Sequence, residues 1–154
     1  MSLLLVVASA APARAAEQPL LPPDVRNLNL ACNGSAVWTE KVTDDHGTLG
    51  KFDDDTETKH TRSGSGRVLV RFTETGGSFR LPPTFPGGKN GGWYSMSAVE
   101  VTEGLIVGRT KGLLGQSKSM VINRQSGEIT LEFAGVTFSG ACEKFVETPG
   151  ARKF

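Results

Sequence analysis

At 154 residues the chain has room for one domain and one hydrophobic core. Its 17 Lys+Arg against 16 Asp+Glu leave no basic excess for a nucleic-acid backbone and no polybasic run for a membrane surface. Nineteen Gly and eight Pro call for many tight turns, the composition of a small all-β protein.

Residues 1–15 read as a secretory signal peptide. Residues 3–11 form a short apolar run, and Ala13-Arg14-Ala15 then places small residues at −3 and −1 of a cleavage point after Ala15. The run is too short to span a bilayer, which needs about 20 residues, and Pro12 ends it. Residues 16–27, with Pro19, Pro22 and Pro23, read as an extended linker. Residues 28–154 then form a single barrel-like domain. Cys32 follows a polar stretch rather than a small-residue box, so it is not a lipid-attachment site. No later segment is apolar enough to cross a membrane, so no insertion is expected once the signal is removed.

From Leu28 the apolar positions alternate: Leu28, Leu30, Cys32, Ala36, Trp38 and Val42 share one parity. Such period-two alternation predicts a long, half-buried strand, with Gly34 marking a bulge or bend. Residues 44–65 are polar, with a polar edge strand over residues 56–62 and turn composition at Gly64-Ser65-Gly66. Val68, Val70 and Phe72 then alternate, Thr75-Gly76-Gly77 turns the chain, and Phe79 and Leu81 carry the return as far as Pro82-Pro83. A Pro/Gly loop over residues 82–92 leads into one strand over residues 93–102, with Val99 and Val101 inward. Glu103-Gly104 turns into Leu105-Ile106-Val107. A strand carrying Met120 and Ile122 follows, then Gln125-Ser126-Gly127 as a type I turn with a left-handed Gly. Ile129, Leu131 and Phe133 alternate on the far side, and a last strand holds Val136, Phe138, Gly140 and Cys142.

Eight or nine short strands joined by hairpins predict an antiparallel meander, closed or nearly closed into a small barrel so that no long edge stays exposed. Closure sets the first strand beside the last. Cys32 and Cys142, the only two cysteines, each share the apolar parity of their strands. A disulfide on the core face is therefore expected, in a compartment where disulfides persist.

Chemistry-bearing motifs are sparse. His46 and His60 have carboxylates nearby (Asp44, Asp45, Glu57 and the Asp53-Asp54-Asp55 run), but the spacing matches neither a calcium loop nor a zinc site, and no metal or cofactor is expected. No Ser sits in a Gly-x-Ser-x-Gly elbow, and Glu40, Glu100, Glu132 and Glu143 read as outward-facing solubilising groups rather than a glycosidase pair. No catalytic residue is assigned. Around the Gly-rich loop, Phe85, Lys89, Asn90, Trp93 and Tyr94 form a candidate binding surface at a barrel rim; the aromatics would otherwise plug that end of the core.

The segment Ile122-Asn123-Arg124-Gln125-Ser126-Gly127-Glu128-Ile129, then Phe138-Ser139-Gly140-Ala141-Cys142-Glu143-Lys144 and the closing Arg152-Lys153-Phe154, resembles the tail of small exported bacterial proteins with no assigned activity. Leu30-Ala31-Cys32-Asn33-Gly34 matches the Leu-x-Cys-x-Gly pattern of their early segment. The resemblance covers about a third of the chain and implies a periplasmic location and the cysteine pair. Taken together, the expectation is a non-enzymatic periplasmic or secreted protein that binds a small apolar ligand or an envelope partner. The alternative is an inhibitor of a secreted protease or glycosidase acting through residues 82–92; an uncharacterised hydrolase stands behind both.

Overall fold

A computed structural model describes residues 19–43, 57–88, 90–112 and 115–146. They are all-β: nine antiparallel strands in one sheet that curls strongly into a half-barrel. The strands are β1 (Asn29–Thr43), β2 (Glu57–Phe72), β3 (Gly77–Arg80), β4 (Tyr94–Ser95), β5 (Ala98–Val101), β6 (Leu105–Gly112), β7 (Gly115–Asn123), β8 (Glu128–Phe133) and β9 (Val136–Lys144). Their order across the sheet is β4-β3-β2-β1-β9-β8-β7-β6-β5. Every neighbour is a hairpin partner in sequence except β1 and β9, which pair from Leu30↔Lys144 to Trp38↔Val136.

The expected disulfide lies in that pairing. Cys32 and Cys142 stand directly opposite and are bonded, with Cα atoms 3.9 Å apart. The Cys142 amide donates away from β1, to Gly127 O, as in a non-hydrogen-bonded cross-strand pair, where opposed side chains come closest. Cys32 is fully buried and Cys142 packs against the core, so the bridge faces inward. It closes a loop of 110 residues, which in the chain-entropy account stabilises the fold by about 4 to 5 kcal/mol.

Gly34 does not mark a bulge, because the register runs through it unbroken on both sides. Its role is close approach. A Cβ there would lie 2.1 Å from Ser139 O, and one on the opposed Gly140 would lie 2.4 Å from Asn33 O. Two residues from the bridge, the strands run too near for any side chain.

Two further expectations are corrected. Residues 56–62 and the run after Arg67 are one strand, β2, with Gly64-Ser65-Gly66 inside it rather than in a turn. These glycines are seats: a Cβ on Gly66 would meet Pro82 Cγ at 2.8 Å, and one on Gly64 would meet the Trp38 ring at 3.2 Å. Residues 93–102 are not one strand. Tyr94–Ser95 pairs with β3 and Ala98–Val101 pairs with β6, at opposite edges of the sheet. Between them, Met96 N donates to Gly77 O on β3 and Ser97 N donates to Arg109 O on β6, so two consecutive amides bond to opposite sides of the sheet. Residues 19–27, the described part of the stretch read as linker, place two side chains in the core. Leu21 and Val25 are buried, and residues 22–28 form turns in which Val25 N and Arg26 N donate to Pro22 O. Two apolar side chains in this Pro-bounded stretch gain more by covering the open end of the half-barrel than by staying in water.

The concave side is filled. Phe72, Phe79, Phe85 and Phe138 are fully buried, with Leu81, Met120, Ile129, Leu131, Val68 and Val70 between them. Among the described residues no helix is long and apolar enough to cross a membrane.

Replacing Gly34 by Ala should destabilise the protein by roughly 3 kcal/mol, because the new methyl meets backbone that cannot move aside. Gly104→Ala, where nothing lies within 4 Å, should stay within about 0.5 kcal/mol of the parent. Urea unfolding of both variants measures the contrast; equal midpoints would mean the strands can separate at Gly34 freely.

Candidate functional site

The aromatic, glycine-flanked segment expected to bind lies over the β2–β3–β4 side of the half-barrel, and its members part company. Residues 82–88 wind through successive turns, in which Phe85 N donates to Pro82 O and Gly88 N to Phe85 O, and Gly91 N donates back to Gly88 O. The Phe85 ring drops from these turns into the core. It is 1% exposed, with ring centroids 5.8 Å from Trp38 and 6.1 Å from Phe138. Phe85 therefore plugs the barrel end. Trp38 sits beside it, half-buried, along an open groove that both share with Glu40 and Arg62.

Tyr94 is also largely structural. Its ring packs on Phe79 (5.5 Å) and Phe133 (4.4 Å), and its hydroxyl donates to Gly87 O, fastening the loop to β4. Asn90 is exposed, and Lys89 lies outside the described residues.

Trp93 differs from both neighbours. It is 36% exposed, and two guanidinium groups lie over its ring: Arg71 Cζ at 4.5 Å and Arg80 Cζ at 5.7 Å from the centroid. Both distances suit a cation–π contact. The strand register explains the convergence. Arg71 stands opposite Ser78 and Arg80 opposite Leu69, so the two arginines are diagonal neighbours on the outward face of the β2–β3 hairpin. Trp93 comes one residue before β4, whose Tyr94 pairs with Phe79. Opposite Arg71 on β1 is Asn29, whose side-chain Oδ1 is buried and accepts no hydrogen bond.

The arginines were missed as site residues, although the sequence carried a signal. Once Thr75-Gly76-Gly77 is read as a hairpin turn, Arg71 and Arg80 fall on the same outward face. Thr73 N donating to Gly76 O closes that turn.

The carboxylates named as candidates sit at exposed positions on four strands. Glu40 pairs with Arg62 (3.1 Å) and Glu100 with Arg109 (3.4 Å), while Glu132 lies on β8 and Glu143 on β9. His60 is exposed on β2 opposite Glu40. His46, Asp44, Asp45 and the Asp53-Asp54-Asp55 run lie outside the described residues.

Comparison with protein-family models, with curated proteins and with solved structures finds no match for the chain.

The two tryptophans should separate spectroscopically. In Trp38→Phe, the remaining Trp93 emission should be quenched readily by iodide, an anion drawn toward the two arginines. In Trp93→Phe, emission from the half-buried Trp38 should be shielded. Similar quenching constants would contradict the exposure of Trp93.

Proposed function

We propose that the protein is a non-enzymatic binding or interaction module that works outside the cytoplasm and recognises an envelope or secreted partner on its outer surface, at Trp93. The observation that carries this reading is the exposed indole held under two guanidinium groups. Trp and Arg are enriched in binding hot spots, and Trp presents a large rigid contact area for little conformational freedom lost. Arg71 and Arg80 restrain the ring, so little ordering cost remains for binding.

The side chains packed around Phe79, Phe85 and Phe138 fill the middle of the concave side, which supports surface recognition over carriage of a ligand there. The successive turns over residues 82–88 favour this reading over an inhibitor, whose loop would present an extended segment to a protease cleft. A location outside the cytoplasm is supported by the disulfide and by the signal-like residues 1–15.

Calorimetric titration with cell-wall fragments, lipid vesicles and acidic aromatic peptides tests the surface. A ligand from one class should bind, and Trp93→Ala should weaken it at least tenfold, as expected for a hot-spot residue. Binding that is indifferent to Trp93→Ala would sink the reading.

Export is tested separately. Residues 1–27 fused to a reporter enzyme that is active only after disulfide formation should give activity in a bacterial host. An inactive, full-length fusion would remove the extracytoplasmic location.

A further inference from the structure

A recess of about 270 Å³ opens at the end of the half-barrel where β1 begins and β9 stops, away from the Phe85 plug. A glycine is among its lining residues. The inward row of β8 runs Phe133, Leu131, Ile129, and the next inward position is Gly127, at φ 76°. Asn123 shapes that turn by accepting from Gln125 N (2.9 Å) and Ser126 N (3.1 Å) through its side-chain oxygen. Around the gap stand Val25, Leu28, Leu30, Ile106, Ile122 and Cys142, an apolar lining drawn from the N-terminal turns and four strands.

Two cations stand where the alternation would place apolar residues. On β7 the inward series Met120, Ile122 continues to Arg124 just past the strand end; on β9 the series Phe138, Gly140, Cys142 continues to Lys144. Both line the recess. Arg124 is committed, with Nη1 donating to Thr102 O (2.6 Å) and Nη2 paired with Asp24. That pair cancels its charge. Lys144 is exposed and has no ion-pair partner among the described residues, so among them it sets one unpaired positive charge at the lip over an apolar floor.

We propose that this recess binds a small amphipathic anion, a medium-chain monocarboxylate, with its chain against Leu30, Ile106 and Ile122 and its carboxylate at Lys144. The volume sets the size of the apolar part. A dry cavity of about 150 Å³ holds benzene, so about 270 Å³ takes a body of roughly six to ten carbons. The charge sets the head group: an anion gains at Lys144, whereas a cation meets only the carboxylate of Asp24, already held by Arg124. This site is separate from the Trp93 surface, so either can fail without the other.

Calorimetry and methyl-resolved NMR with octanoate and, as its uncharged counterpart, octanol test the proposal on the full-length protein. Octanoate should bind and shift the methyl signals of Ile106 and Ile122. Lys144→Gln should weaken octanoate by roughly three- to fivefold, the size of an exposed ion pair, and leave octanol unchanged. Leu28→Trp, which fills the recess at its half-buried wall, should abolish binding. Should that variant unfold, the Ile106 and Ile122 shifts in the parent still decide the location. The proposal is overturned if neither compound binds at about 10 mM, if the shifts fall elsewhere, or if folded Leu28→Trp binds as the parent does. Octanol binding as tightly as octanoate, with Lys144→Gln without effect, would overturn the anionic specificity.

Discussion

The pairing of β1 with β9 is the constraint on which the rest of the molecule depends. Without it the sheet falls into two pieces, β1 to β4 and β5 to β9, whose remaining backbone link in the sheet runs through Met96 and Ser97. Each piece alone would expose one face of its apolar rows. Together they close on Phe79, Phe85 and Phe138. This pairing is also the contact of longest sequence separation between strands, which makes it costly to find during folding and slow to form. The bridge at Cys32 and Cys142 offsets that cost, and the opposed Gly34 and Gly140 let the strands approach as closely as the bridge requires.

Small residues on one wall answer large ones on the other. Gly64 and Gly66 receive the rings of Trp38, Pro82 and Phe85, and a Cβ on Gly108 would lie 2.7 Å from Met96 Sδ. This complementarity fills the concave side, and it has a functional corollary. With the interior occupied, the chemistry left to solvent is at the ends and on the outer face. There an exposed indole lies under two arginines on the outer face, and at one end the alternation breaks down, with Arg124 and Lys144 at inward positions.

The architecture was legible in the sequence because it rests on local, repeated signals. Alternation along residues 28–42 gave the inward face of β1, the shared parity of Cys32 and Cys142 gave the seam, and Gly127 gave its turn. Where the reading failed, a residue type carried two meanings. Glycine in Gly64-Ser65-Gly66 has turn composition, yet here it is extended and makes room for rings from residues 82–85, a contact that no local window contains. Residues 93–102 alternate like one strand, and only the circumference of the sheet decides that they divide between two edges. Of the candidate surface, the aromatics were visible as residue types. Their separation into plug, fastener and exposed ring depended on tertiary packing, as did the recess at Gly127.

The strand order has a further consequence. Read from one edge to the other, it is a plain up-and-down meander that starts at β5, runs to β9, passes to β1 and ends at β4. The molecule is thus a circular permutant of the simplest antiparallel ribbon. The first and last strands lie side by side in mid-sheet, stapled together, while the sheet's edges fall in mid-chain, two residues apart. Those edges are only two and four residues long and are tethered to each other by Met96 and Ser97. Strand ends ordinarily fray and sheet edges ordinarily recruit foreign strands. In this arrangement each weakness is placed where a covalent link already guards it: the ends by sulfur, the edges by the backbone itself.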